Sequence, residues 1–390
     1  MPAEGGRGWG ARLIRPRGGY SRGRRVALGI GAALTLIGVL IAVLAPGPPV
    51  KVPRAPSTAL DASILRYVRE LPEDGARPLL RPVGVAVGEG RVYVADSDDG
   101  VVRVFSALGA EAGEVGRGVL DVPAYVAYDA STGALLVSDR TRRELLRFAG
   151  AGASAEQVRP STEPTAAWQP LGVDADGGGR IAVTDASSRH RVFVLEADET
   201  VALEIGGPPS GDSTASASVS LDFPNSVLFA GDQLWVGDSN NRRVLAFDAR
   251  GNLDRVVGIE GIARGMAYLP GRGEDPPYVA FADVLGSQVI LLDLNGDEAG
   301  RFGEPGASAG QLAYPNDVAY DDASGLLYVA DTGNARVQVW EVVPAEEGEG
   351  DTGGGLSGVA PISAMRLAGL SIAAVGLLLL GAAAWPRSED

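Results

Sequence analysis

Apolar and polar residues alternate with a period of two through most of the middle of the chain. Six stretches share one shape: VYVADSDDGVVRVF (92–105), LLVSDRTRRELLRF (135–148), IAVTDASSRHRVFVL (181–195), LWVGDSNNRRVLAF (234–247), VAFADVLGSQVILL (279–292) and LYVADTGNARVQVW (327–340). Each reads as a half-buried strand ending in Asp, a polar turn, and a second alternating strand. The aspartates are Asp96, Asp139, Asp185, Asp238, Asp283 and Asp331, at intervals of 43, 46, 53, 45 and 48 residues. Upstream of each lies another short strand, usually opened by Pro: PVGVAV (82–87), PAYVAY (123–128), PLGVDA (170–175), PNSVLF (224–229), ARGMAY (263–268) and PNDVAY (315–320). A fourth follows each pair, as in AGEVG (112–116). Four short antiparallel strands per period predict the blades of a β-propeller, six in number.

The sixth unit lacks an outer strand after RVQVWEVV (336–343), and a spare strand, SILRYVREL (63–71), precedes the first. Pairing the two closes the ring and leaves no open sheet edge there. It also lets both flanking linkers leave from one blade.

Two long apolar runs bracket this repeat. Residues 26–45 and 367–385 carry no charge, and at 1.5 Å per residue each spans ~30 Å of hydrocarbon. Seven arginines in residues 1–25 (Arg7, Arg12, Arg15, Arg17, Arg22, Arg24 and Arg25) place that tail in the cytoplasm and send the first run outward. Pro46 follows Ala45, which suits signal-peptide cleavage badly, so the run reads as an anchor. The expected organisation is a cytoplasmic Arg-rich tail (1–25), a transmembrane helix (26–45), a Pro-rich linker (46–61), an extracytoplasmic propeller (62–343), an acidic Gly-rich linker (344–361), a second transmembrane segment (362–385) and a short cytoplasmic tail (386–390).

Composition narrows the chemistry. The chain has 390 residues, no Cys and one His, His190. Disulfides, thiolate sites and cysteine nucleophiles are excluded, and His-rich zinc sites or a Ser-His-Asp arrangement are disfavoured. Residues 61–345 hold 23 basic and 42 acidic residues, which disfavours nucleic acid as a partner.

The pattern P-x-G-V-A-V…V-Y-V-A-D-x-x-N-x-R-V-Q-V-F resembles the NHL repeat, best at Pro82 to Phe105, Phe223 to Phe247 and Pro315 to Trp340. FGEPGASAGQLAYP (302–315) looks like that family's Gly-rich junction. Val101, Glu144 and Gln288 depart from it at the slot held by Arg243 and Arg336, and the turn around His190 is one residue longer. The resemblance implies an all-β, six-bladed propeller of a family that serves as platforms and occasionally as enzymes, and with the two apolar runs the preferred reading is a noncatalytic platform outside the cytoplasmic membrane. Its partner would be a protein or an anionic envelope polymer, with no cofactor. The alternative is a calcium-dependent lactonase-like hydrolase using the channel, with Asn225, Asn316 and Asp317 as possible ligands. No Glu opens an inner strand to complete that set.

Three groups of residues stand out. The turns of blades two to four carry Arg140, Arg142, Arg143, Arg189, His190, Arg191, Arg242 and Arg243. These form either a cationic sector that steers anionic partners or a set of local pairs with each blade's own carboxylates. Tyr125, Asn225, Arg264, Asn316 and Asp317 are placed to line the channel mouth. The six strand-end aspartates are expected to hold turn N–H groups rather than a metal. The segment 174–185 has the acidic spacing of a calcium loop, but its last six residues are needed as a strand.

Overall fold

The computed structural model describes residues 50–51, 65–73, 77–150, 154–161, 168–207, 219–271 and 276–342. The two apolar runs, the Arg-rich tail and the acidic linker 344–361 lie outside the described residues. Among the described residues no helix is long and apolar enough to cross a membrane.

Six antiparallel sheets of the expected composition form the ring. Blade one runs from the channel outward as Pro82–Gly88, Arg91–Asp96, Val101–Ser106 and Glu111–Val115. The innermost strands of the next four are Pro123–Asp129, Pro170–Ala175, Pro224–Ala230 and Ala263–Leu269. Blade six consists of Pro315–Asp321, Leu326–Asp331, Arg336–Val342 and, from the other end of the repeat, Leu65–Leu71. That closing pair registers Leu65 with Val342 and Leu71 with Val337. Tyr67 and Trp340 meet edge to face at 5.8 Å, and Arg336 reaches Glu70 at 2.7 Å.

The strand-end aspartates are buried and hold each blade to the chain segment entering it. Asp96 accepts the main-chain N–H groups of Leu80 and Arg81, Asp139 those of Asp121 and Val122, and Asp283 that of Ile262. Asp185, Asp238 and Asp331 take the N–H groups of Gln169, Asp222 and Ala313. In the last three blades named, Arg191, Arg243 and Arg336 bind the same carboxylate at 2.7–2.9 Å. Blade one has Val101 in that slot, and Arg103 two residues on ties the junction through the carbonyls of Arg77 and Pro78. A left-handed residue closes every one of these turns: Gly100, Arg143, His190, Arg242, Ser287 and Ala335. His190 sits five residues after its Asp and the others four, so the longer turn of blade three is absorbed before the closing residue.

The closing pair brings both linkers to blade six as expected, and the first linker makes one further contact. Val50–Lys51, in the Pro-rich linker, adds a short parallel strand to Leu253–Gly258, the outer strand of blade four. An outer strand presents unpaired N–H and C=O groups, and any nearby extended segment can pair with them. The segment before the propeller therefore touches blade four, while the closing strand belongs to blade six.

The core is six apolar clusters, one per blade interface. In five of them a buried side chain from the junction plugs the seam: Leu120, Trp168, Leu221, Leu312 and Leu79. The junction between blades four and five reads Ile259-Glu260-Gly261-Ile262, and only the half-buried Ile259 packs against its cluster. A groove of about 580 Å³ lies there, floored by Phe281, Ile290 and Leu292 and rimmed by Arg242, Glu260 and Leu285.

Candidate functional site: the channel mouth

Every inner strand breaks register at its first residues, between Pro82 and Gly84, Pro123 and Val126, Pro170 and Val173, Pro224 and Ser226, Ala263 and Met266, and Pro315 and Asp317. A bulge frees a residue from the ladder and re-aims its side chain. Six bulges at one end of six strands make a ring of re-aimed residues around the channel. The turns after the strand-end aspartates share this face, since Arg140 N–H bonds to Val122 O and Val284 N–H to Ile262 O, just before the inner strands begin.

The five predicted mouth residues gather here unequally. Tyr125 is buried, and its phenol donates to Asn225 Oδ1. Blade three offers Gly172 at this level, where a Cβ would lie 2.5 Å from Asn225 O. With no side chain there, the phenol of blade two reaches the amide of blade four. Asn225 is fully buried, and its Nδ2 has no hydrogen-bond partner among the described residues. The guanidinium of Arg264 stands within hydrogen-bonding reach of the same phenol. Its Nε is buried and likewise unpartnered among the described residues, and its main-chain oxygen accepts from Ser226 Oγ. Burial pushes the Tyr125 phenol up to about 12. Asn316 lies aside, donating to Thr332 Oγ1 at 2.9 Å. Asp317 is a clasp between blades: its oxygens accept the N–H groups of Val85 at 2.9 Å and Val318 at 2.9 Å. Gly265 makes room for it, since a Cβ there would lie 1.5 Å from Asp317 Oδ1.

Behind the mouth runs a channel of about 220 Å³ lined by all six inner strands. Asp174 lies in it, three blades from Asp317, accepting the N–H of Phe229 at 2.8 Å. Burial lifts Asp317 well above the carboxylate range, with the Asp174 charge adding to it. Burial likewise pushes Asp174 up to about 7. Asp174 keeps some contact with channel water, being only half-buried by surface. The calcium-loop spacing dissolves as expected, because Asp174 pairs with Ala182 while Asp185 lies opposite Pro170. Among the described residues no three His, Asp or Glu side chains gather as a metal site.

The basic turn residues divide. Arg191 is buried over Phe193, with Asp185 at 2.9 Å and Glu204 at 3.1 Å. Arg243 binds Asp238 and the carbonyl of Ser220. Arg142 binds Glu144 at 2.8 Å. His190 Nδ1 accepts the N–H of Phe223 and stands 3.5 Å from Asp222. Arg191, Arg243 and Arg142 thus follow the local-pairing alternative. Arg143 and Arg242 are turn-closing residues, and Arg189 donates its N–H to Ser187 Oγ at 3.3 Å. Arg140 is exposed, and its charge lies close enough to Arg264, Arg81 and Tyr125 to interact with them. Partial burial lowers its pKa, and the nearby cations Arg264 and Arg81 lower it further. Sequence reasoning placed Arg140 in the arc rather than the mouth and overlooked Asp174. A signal existed for the second: a lone acid at the fifth place of an inner strand, where the other blades have Ala or Leu.

Residues 168–195 and 312–340 match the NHL repeat. They cover the inner three strands of blades three and six. Among solved structures this propeller is similar to an auxiliary nutrient binding protein from Bacteroides thetaiotaomicron VPI-5482, at 12% identity over 73% of this chain and 74% of that one, with a TM-score of 0.53. It is also similar to a streptogramin B lyase, at 14% identity over 72% of this chain and 98% of that one, with a TM-score of 0.49. At 12% identity the likeness to the nutrient binding protein concerns the fold alone.

Proposed function

We propose that this NHL propeller is a noncatalytic binding platform held outside the cytoplasmic membrane by the apolar runs 26–45 and 367–385, with both termini inside. The observation that carries the binding reading is the channel mouth, where Asn225 Nδ2 and Arg264 Nε are buried donors without acceptors among the described residues. Buried donors are normally satisfied, and orphans at an opening invite a ligand. The partner is a protein or polymer lying on the mouth face, because the channel behind it is smaller than the ~300 Å³ at which small-molecule pockets begin. Tethering is supported by the seven arginines ahead of the first run.

The absence of Cys makes both parts testable. Single cysteines at Ser21 and Ser131 should react oppositely with a membrane-impermeant maleimide: Ser131→Cys in intact cells, Ser21→Cys only after lysis. The reverse pattern overturns the topology. A photo-cross-linker at Tyr314, exposed on the mouth face, should yield a discrete cross-linked species, and one at Ala323, in the hairpin at the other end of the same inner strand, should not. Equal cross-linking at both overturns the mouth face as the binding surface.

A further inference from the structure

Tyr125 is the common neighbour of three cation or amide donors that come from three blades. Its phenol donates to Asn225 Oδ1, which fixes the amide with Nδ2 turned away from the phenol. Arg264 stands beside the phenolic oxygen and so favours the same direction of the hydroxyl hydrogen. The phenol therefore cannot serve as the acceptor that Nδ2 lacks. Arg264 Nε is likewise buried with no acceptor, and no carboxylate pairs with Arg140 or Arg264 among the described residues. Arg81, the third cation near the mouth, is already held by Asp98 at 2.6 Å.

Carboxylates are abundant elsewhere on this acidic domain, yet the two that approach the mouth do not neutralise it. Asp317 has both oxygens taken by main-chain N–H groups, and Asp174 is bonded to Phe229 deeper in the channel. Two guanidiniums held near each other, together with a desolvated amide donor, lack one group: an acceptor with several oxygens and negative charge. Charge-assisted bonds from Arg to such a group are about twice as strong as neutral ones.

The geometry points to an oxyanion site at the channel mouth, formed by Arg140, Arg264 and Asn225 with Tyr125 as the positioning residue, that takes a carboxylate or phosphate group carried by the partner. This rests on the reading of the mouth as the binding surface and adds the chemistry of what enters it. The small channel lets the charged end group in and leaves the rest of the partner on the outer face.

The test uses full-length protein in detergent micelles, titrated calorimetrically with inorganic phosphate and separately with acetate, against chloride as control. Saturable binding of one of the two, absent with chloride, is expected, and which one binds distinguishes phosphate from carboxylate. Arg140→Gln and Arg264→Gln should each weaken it by tenfold or more. Asn225→Asp, which keeps the shape and puts a negative charge among the donors, should abolish it. Arg180→Ala, in the hairpin at the other end of blade three's inner strand and paired with Asp176, should leave it unchanged. Arg140 lies at the surface, so its variant tests the site even if a buried variant fails to fold. Binding of neither anion, or binding that survives Arg140→Gln, overturns the oxyanion site. Face-specific cross-linking at position 314 would persist in that case, so the two readings fail separately.

Discussion

Five blade interfaces carry a buried plug from the junction, and the sixth has only the half-buried Ile259. Between blades two and three, Trp168 is 1% exposed and meets Phe193 edge to face at 5.7 Å. Between blades four and five the junction is four residues long, from Ile259 to Ile262, and the seam opens into the groove over Phe281. The blades on both sides are otherwise alike: the same four strands, the same buried Asp at the end of the second. The strand-end Asp and its turn therefore specify a blade, while the junction specifies how tightly neighbouring blades are sealed. Gly261 sharpens the contrast, because a Cβ there would lie 1.8 Å from Asp283 Oδ1. The short junction passes so close to its carboxylate that no side chain fits at that position.

The largest effect should come from unsealing a plugged interface. Trp168→Ala removes a fully buried indole and is expected to cost roughly 3–5 kcal/mol, and Leu312→Ala roughly 2–5 kcal/mol. Chemical unfolding of the full-length protein measures both. A loss below about 1 kcal/mol for Trp168→Ala would mean that the plugs do not seal the ring, which breaks the comparison.

A second difference between interfaces lies in the channel. Blade three is joined to four by Asp174 and blade six to one by Asp317, each through an inner-strand N–H. In the folded ring Asp174 keeps its proton up to about pH 7, whereas in the unfolded chain it loses it near pH ~4. Stability from this group therefore falls as pH rises from about 4 to about 7 and is level above. Asp174→Asn cannot ionise, so its stability relative to the parent should rise across that window. Unfolding at about pH 4.5 and about pH 7.5 reads the change. Parallel behaviour of parent and variant would place Asp174 in contact with enough water to titrate normally. Asp317 shifts in the same direction, so the parent's slope should shrink rather than vanish.

Much of this was legible in the residues, for definite reasons. The alternation and the strand-end Asp are local signals that recur six times, and a Pro opens five of the six inner strands. The closing strand 65–71 could be found because blade six was one strand short. Bulges at the mouth were not legible, since a register shift depends on the partner strand and leaves only a Pro followed by small residues as its trace. Arg191 and Arg140 show the limit from the other side. Both are turn arginines in adjacent blades, but Arg191 follows the turn-closing residue and folds back onto Asp185, whereas Arg140 directly follows Asp139 and lies close enough to Arg264 and Tyr125 to interact with them. Sequence spacing alone does not say which way a turn side chain leans. The pairing of Val50–Lys51 with blade four was hidden for the same reason, being a long-range contact of a segment with no strand pattern.

The smallest expected effect is a gain. If the open seam lacks only a plug, an apolar side chain at Glu260 should supply one, because Leu120, Leu221 and Leu312 occupy the third residue before their inner strands and Glu260 occupies the third before Ala263. Glu260 is exposed, so its replacement removes no buried contact. Glu260→Leu can turn onto Phe281 and Ile290 and bury part of its surface there, which is worth about 1 kcal/mol at ~25 cal/mol per Å². Thermal unfolding should shift upward by a few degrees, and the same substitution at Glu304, on the surface of the plugged junction between blades five and six, should shift nothing. Full-length Glu260→Leu should also keep its anion binding, since the mouth lies apart from this groove. A lower melting point would show that the seam is already filled at this depth, and the difference between the sealed and unsealed interfaces would then lie in the path of the junction rather than in a missing side chain.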